Sequence, residues 1–598
     1  HLSIRRQRQM CIRDRFKIKK ALKLPEGELN ANGYDVDLTT VVDLFTQTVT
    51  LVTGGVKEYN NIILDTSYTL DVGYGLYFEI SKNMDLFVSV FKEINTYYVD
   101  EIDAGKLTKR AIDEMLNTLD PYTNYISEAE AEDFRFQMTG QYGGVGAQIA
   151  TKGDYVVITD PYEGYPAQKE GLLPGDLIVE IEGKSNKGKS TTEVSKLLKG
   201  QAGSKVNITI KRNDVEMKKS LLREEIKVKN VPYFGMINAE TGIIKLTGFT
   251  NDAGKEVRDA FLELKKNTSL KNVILDVRGN PGGLLHEAVN IVNIFVPQGQ
   301  EVVSTKGKVK EWEKTYKTLN PSTDESIPLV VLTNRGSASA SEIVSGTIQD
   351  LDRGIVIGKK TFGKGLVQST RPLNYNAQIK ITTAKYYTPS GRCIQALDYS
   401  HKNEDGSVGS VVDSLKKAFK TKAGRKVFDG GGVDPDINVE PIALSKITES
   451  LISKQLIFDF ATAYRNKNAS ISDAKSFKLT ENDFNDFKTF IANKDYEYNT
   501  ATETALLEVK KKAEDEKYFD AIKTQYEALK LSMNHDKQAD IEKNKTEIIE
   551  LLEEEIVRRY YFQKGRIEAG FNHDLDVQAA LKIFADKQAF NKVLTTIK

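Results

Sequence analysis

A chain of 598 residues exceeds what one core organises, so three or four domains are expected. Its 84 basic and 84 acidic side chains cancel, which removes electrostatic support for nucleic-acid or anionic-membrane binding. Two cysteines and five dispersed histidines offer neither a disulfide framework nor a metal constellation, and no apolar run reaches the roughly 18 residues of a membrane span.

The first segment, HLSIRRQRQMCIRDR (1–15), holds five arginines and no apolar stretch of the kind a signal peptide needs. It resembles read-through of a sequencing adapter and is set apart from the fold, with the native amino terminus expected elsewhere. Residues 16–82 show strand-like alternation punctuated by Gly54-Gly55, Gly73 and Gly75, carry no motif, and stay unassigned. In 83–138, MDLFVSVFKEINTYYV and LTKRAIDEMLNTL space their apolar residues as helices do. TLDPYTNYI (118–126) ends that run through Pro121.

Residues 139–226 change character. TGQYGGVGAQIA is a glycine-rich turn leading into strand alternation, DYVVITDPY is a second short strand, and KVNITIKR closes with strict alternation. TTEVSKLLKG reads as a short helix with a glycine stop. The block resembles a PDZ domain, with GLLPGDLIVEIEGKS among its more specific pieces. By that resemblance Tyr142, Gly143, Gly144, Val145 and Gly146 form the loop whose N–H groups meet a peptide's terminal carboxylate. Standing alone, a GGVG turn is a tight entry into a strand.

From 227 to 445 strands and helices alternate. VILDVRGNPGG is a buried strand and a glycine-rich turn, HEAVNIVNIF a helix, and PLVVLT a buried strand before the serine loop and its helix, SEIVSGTIQD. GIVIG leads into KKTFGKG, and QIKITTAKYY alternates. The pattern predicts an α/β domain whose functional loops gather at the carboxyl ends of strands. Residues 446–598 are charged and amphipathic with few Gly or Pro, and predict a helical domain.

Chemistry concentrates in GSASASE, where Ser337, Ser339 and Ser341 alternate with alanines between a buried strand and a helix. A hydroxyl at Ser339 faces the unpaired N–H groups and positive dipole end of the helix, which suits a nucleophile. Ser339 and Glu342 also have capping-box spacing, so a simple cap reads equally from these residues. No histidine lies in the serine loop, and His286 falls on the helix after the glycine-rich turn. Lysine is then the remaining base, and Lys364, between two glycines beside Phe362, has the setting a neutral lysine requires. Lowering such a group from its usual value near 10.4 by about three units costs roughly 4 kcal/mol, so it must be desolvated. Lys359 and Lys360 lack that setting and read as solvated.

SASASEIVSGTIQD, TFGKGLVQ and KYYTPSGRCIQ follow in that order behind a PDZ block. With LDPYTNYI, DVRGNPGG and GGVDPDI they resemble the carboxyl-terminal processing proteases, the tail-specific serine peptidases of family S41. The resemblance covers about 83–445, and the 25 residues from Ser339 to Lys364 are like that family. It implies a multidomain α+β chain: a helical N-terminal segment, a PDZ domain (139–226), a crotonase-like/ClpP-like α/β serine protease core (227–445) and a C-terminal helical domain. It further implies Ser339 as nucleophile, Lys364 as general base and Gln368 as the residue orienting that lysine. The backbone N–H of Ala340 and one from Gly282 or Gly283 would receive the oxyanion, leaving Ser337 and Ser341 structural, with Ser341 a cap. Expected substrates are proteins or peptides with free C-termini, cleaved near or from that end without ATP, metal or other cofactor. An adaptor and a homo-oligomer stay open as partners, and the expected setting is the periplasm or cell envelope, although no signal peptide is visible.

Two other readings compete. Gly358 to Lys364 matches part of a phosphate-binding loop, but Gly365 stands where Ser or Thr must ligate magnesium. A non-catalytic PDZ scaffold on a protease-like core would bind peptides without turnover.

Overall fold

A computed structural model of the chain describes residues 82–402, 407–498, 500–532 and 537–595, with the backbone of five strand segments between 38 and 79. The reading of residues 1–15 lies outside the described residues. The chain divides into two compact units, 1–112 and 113–598. In the first, Leu38–Asp43, Thr48–Thr53 and Lys57–Ile63 form an antiparallel meander, and Thr69–Val72 pairs with Leu76–Glu79. Helix Lys82–Tyr97 follows the strands.

The PDZ block folds as an antiparallel sheet of β1 (Ala147–Lys152), β2 (Tyr155–Pro161), β3 (Leu177–Ile181), β4 (Lys205–Arg212) and β5 (Val215–Leu222), in the order β5-β4-β3-β2-β1. Helix α1 (Thr191–Leu198) starts in a capping box: Ser190 Oγ accepts the Glu193 N–H at 3.3 Å and the Glu193 carboxylate accepts the Ser190 N–H at 2.9 Å. Val194 and Leu198 on α1 join Val156, Ile158, Ile178 and Val206 in one apolar core. The strands at its two edges are β5 and β1.

Residues 227–445 are built on a six-stranded sheet of β6 (Tyr233–Met236), β7 (Thr241–Lys245), β8 (Asn272–Asp276), β11 (Leu329–Thr333), β12 (Ile355–Gly358) and β15 (Ile437–Asn438), paired in that order. All pairs are parallel except β6 with β7. The central strands read as unbroken apolar runs because both faces are covered. On one face Ile244, Val273, Leu275, Leu329 and Val331 meet α2 (Ala253–Lys265), α3 (Leu285–Phe295) and α4 (Ala340–Asp350). A second, antiparallel sheet of β9 (Glu301–Gly307), β10 (Lys314–Lys317), β13 (Leu366–Pro372) and β14 (Gln378–Tyr387) runs in the order β10-β9-β14-β13. Strand Asn124–Ile126, from the LDPYTNYI segment, pairs with β14.

The helical region divides in two. Its earlier part, including α5 (Leu456–Lys467) and α6 (Lys545–Gly570, kinked at Tyr561 and Phe562), has a core of its own built on Phe460, Phe484, Phe487, Ile548 and Leu552. It also touches the PDZ block: Gln455 Nε2 donates to the Thr151 carbonyl oxygen at 2.9 Å, Arg558 pairs with Asp160 at 3.0 Å, and Lys152 pairs with Asp459. The last helices, α7 (Leu575–Ala585) and α8 (Lys587–Thr595), instead cover the second face of the core sheet. There Val577, Ala580, Phe584 and Phe590 pack on Ile243, Ile274, Val330, Leu332 and Ile357. The sequence pattern assigns 446–598 to one domain because helical periodicity does not say which core a helix serves.

Candidate active site

Neighbouring strands β8, β11 and β12 end side by side, and three loops leave their carboxyl ends: DVRGNPGG, the serine loop and TFGKG. The alternating serines divide by what their hydroxyls hold. Ser337 Oγ donates to the Val277 carbonyl oxygen at 2.8 Å, and Ser341 Oγ donates to that of Asn280 at 2.9 Å. Both are fully buried and fasten the serine loop to the glycine-rich turn, helped by the Ala338 N–H on Asn280 O at 3.0 Å. Ser341 therefore stands inside the first turn of α4 as a fastening and does not cap it.

Ser339 is the helix N-cap, half-buried, with φ +55° and ψ −112°. A non-glycine residue at positive φ is strained, which marks a position fixed by its surroundings. It shares the capping-box positions with Glu342, whose Oε2 accepts the Ser339 N–H at 2.8 Å, but its hydroxyl makes no cap hydrogen bond. Of the three it is the one whose hydroxyl donates no hydrogen bond among the described residues, its oxygen standing in capping-box relation to the Glu342 N–H.

Glu342 is the hub of the site. Besides Ser339, its carboxylate accepts Thr361 Oγ1 at 2.6 Å and the N–H groups of Gly363 at 2.7 Å and Lys364 at 2.9 Å. Burial pushes its carboxyl above the ordinary range, against the pull of those four hydrogen bonds. From the opposite side Tyr386, fully buried on β14, directs its hydroxyl to the carbonyl oxygens of Ser339 (3.1 Å) and Lys364 (2.6 Å). Glu342 thus holds the N–H groups of Ser339 and Lys364, and Tyr386 holds their C=O groups.

Burial, with Lys380 nearby as a second positive charge, draws the Lys364 ammonium down from 10.5 to about 8. Its Nζ lies 4.2 Å from the ring centroid of Tyr122 and, among the described residues, makes no hydrogen bond to Ser339 Oγ. Gln368 Nε2 donates to Thr382 Oγ1 at 3.2 Å, so its amide faces β14. Lys359 and Lys360 pair at the surface with Glu440 and Asp434, and His286 is exposed beside Glu287.

Gly282 and Gly283 stand at φ +98° and +150°; Gly282 lies against the serine loop and Gly283 against Phe249. A Cβ on Gly282 would come 2.6 Å from Ala338 O and 2.8 Å from Ser339 Cβ, so only glycine allows this approach. The Gly282 N–H donates to Asn280 Oδ1 at 2.9 Å. The N–H groups of Gly283 and Ala340 have no acceptor among the described residues.

In the PDZ block, Gln141–Gly144 pairs antiparallel with Glu224–Lys227, and Val145 and Gly146 carry the chain into β1. Carbonyl groups of this loop are occupied: Gly143 O accepts from Gly200, Val145 O from Ala167 and Gly146 O from Tyr162. The N–H groups of Val145 and Gly146 have no acceptor among the described residues. Gly146, at φ +73°, approaches Tyr165 so closely that a Cβ would fall 2.6 Å from that ring's Cβ.

The Peptidase family S41 model matches residues 240–401, a PDZ domain model 157–212, and a model described as "Probable PDZ-protease, C-terminal helical domain" 447–584. A "Probable CtpA-like serine protease" of Staphylococcus aureus is 35% identical over 422 residues, covering 69% of this chain and 82% of its own length. The chain belongs to peptidase family S41. It is also similar to the "Carboxy-terminal-processing protease" of Bartonella bacilliformis, 37% identical over 322 residues, 53% of this chain and 73% of that one. Among solved structures, a photosystem II D1 C-terminal processing protease is 28% identical, covers 61% of this chain and 95% of its own, and has a TM-score of 0.34. As an S41 member the chain is a protease carrying a PDZ domain and a C-terminal helical region.

In the sequence Glu342 reads only as the partner of a cap, and Tyr386 and Tyr122 lie in family motifs that give neither of them a role. The signal was present for Tyr386: it ends an alternating strand just before a turn, beside loops already suspected of chemistry. Nothing local marks Tyr122 as a neighbour of Lys364, because 242 residues separate them.

Proposed function

We propose that the chain is an ATP-independent serine endopeptidase that cleaves proteins near or from their C-termini, with Ser339 as nucleophile and Lys364 as general base. The observation that carries this reading is Ser339 itself: strained at φ +55° at a helix N-terminus, and tied through the Glu342 carboxylate to a lysine whose pKa is drawn down to about 8. In this reading Lys364 leaves the Tyr122 face, accepts the Ser339 proton as neutral amine, and Oγ attacks the scissile carbonyl. The Ala340 and Gly283 N–H groups receive the oxyanion. The ammonium of Lys364 then protonates the departing amine, and the neutral lysine activates the water that releases the acyl group. Gln368 orients Lys364 once the amine has moved from Tyr122.

The Tyr142–Gly146 loop and the edge strand β1 bind the substrate's terminal residues, the tail adding as a strand with its carboxylate at the Val145 and Gly146 N–H groups. Gln455 already holds the Thr151 carbonyl oxygen at the far end of β1, which confines added pairing to a few residues next to the loop. The cell envelope is the proposed setting.

The deciding experiment incubates wild type, Ser339→Ala and Lys364→Ala with an unfolded protein ending in apolar residues, without ATP and with a chelator. Cleavage by the wild type alone supports the assignment, and equal cleavage by all three refutes it. Peptide binding without cleavage by any of them turns the reading towards a scaffold.

A further inference from the structure

Arg278, in the DVRGNPGG turn, spends all five side-chain N–H donors on three carboxylates. Nε and one Nη2 bond reach Asp276 at 2.9 and 2.8 Å. The other three go to the C-terminal helical region: Nη1 to Asp574 Oδ1 and Asp576 Oδ2, both at 2.8 Å, and Nη2 to Asp574 Oδ2 at 2.7 Å. The Arg278 side chain is only 16% exposed, and those of Asp574 and Asp576 are 24% and 19%. A bidentate, largely desolvated arginine–carboxylate cluster is stiff in a way that surface ion pairs are not.

We propose that Asp574 and Asp576 are positioning residues for the reaction, acting through Arg278 to hold the glycine-rich turn whose Gly282 packs on Ser339 and whose Gly283 N–H is the proposed oxyanion donor. The inference rests on the reading of Ser339 as nucleophile. On its inner side the turn is fastened to the serine loop by Ser337, Ala338 and Ser341. On its outer side Arg278 anchors it, and three of the five bonds of that anchor come from a segment almost three hundred residues later.

Asp276 alone cannot replace them, because it also serves Lys245 at 3.0 Å. Asp574 further caps α7, accepting the N–H groups of Asp576 (3.1 Å) and Val577 (3.2 Å), so the helix end and the arginine move together. Asp576 reaches the next strand as well: a Cβ on Gly358, where β12 enters the TFGKG turn, would lie 3.4 Å from its Oδ1. The start of α7 therefore abuts the strands that feed both the glycine-rich turn and the Lys364 loop.

Asp576→Ala in the full chain tests this without removing the cap. The readouts are kcat and KM for a peptide whose cleavage needs Ser339, affinity for a peptide aldehyde whose hemiacetal requires the oxyanion donors, and the thermal midpoint. Expected are a fall in kcat of about tenfold, a parallel loss of aldehyde affinity and a KM within about twofold, in a folded enzyme; Asp574→Asn with Asp576→Ala falls further, by about a hundredfold. Unchanged kcat and aldehyde affinity, or losses that only track the unfolded fraction, overturn the proposal. If Asp576→Ala does not fold, Asp576→Asn, which keeps shape and one acceptor, is judged by the same criteria. Cleavage that persists in Ser339→Ala would instead overturn the reading of the site, which separates the two failures.

Discussion

At the scale of single residues, the site turns on two charges held away from their usual state. Lys364 binds its proton less tightly in the folded chain than in the unfolded one, so the unfolded chain carries more protons between about pH 8 and 10.5. The cost of burying the ammonium is present in full below that window, and stability rises with pH across it; thermal midpoints of wild type against Lys364→Met, measured through the window, should converge as pH rises. In the proposed mechanism the same neutral lysine is needed for attack, so kcat/KM should climb along a single limb with a midpoint near 8. Lys380 contributes to that depression, and Lys380→Met should move the limb to higher pH; a limb that stays in place would leave burial as the sole cause. Glu342 accepts four hydrogen bonds while fully buried, and Glu342→Gln turns one acceptor oxygen into a donor that faces N–H groups. A loss of about 2 kcal/mol in chemical denaturation, with cleavage abolished, is expected.

Among the elements, three strand ends decide where chemistry gathers. Parallel strands β8, β11 and β12 are legible as apolar runs of the length a doubly covered strand needs, and each is followed by glycines that the sequence shows plainly. That the loops would meet follows from strand order, which no periodicity encodes. The closeness is steric as well as topological. Gly282→Ala would drive a Cβ into Ala338 O and Ser339 Cβ at a φ that alanine avoids, spreading the glycine-rich turn from the serine loop. Cleavage should fall below detection in Gly282→Ala while a C-terminal peptide still binds the PDZ domain with its wild-type Kd, as fluorescence anisotropy would read. Ser341 shows the limit of local reasoning in the same place. The sequence reading leaves it a structural serine and a cap, yet its hydroxyl bonds a carbonyl 61 residues earlier in the chain.

Over the whole molecule, the C-terminal helices are parts of two cores, and only their contacts reveal it. Phe584→Ala empties a site where α7 meets Ile357 and its neighbours on the core sheet, and should cost about 3–5 kcal/mol in the unfolding of the protease core. Calorimetry that finds the loss confined to the earlier helices would contradict that packing. The sequence by itself determined the order of domains, the strand and helix types, and which serine and lysine are proposed for acyl transfer, because these readings depend on local periodicity, turn chemistry and short motifs. Tertiary structure alone decided what the three serine hydroxyls hold, which buried groups bond the backbone N–H and C=O of Ser339 and Lys364, and that carboxylates near residue 575 grip an arginine at 278. Those relations arise when distant segments exclude water together, and hydrogen bonds across such separations leave no periodic trace along the chain.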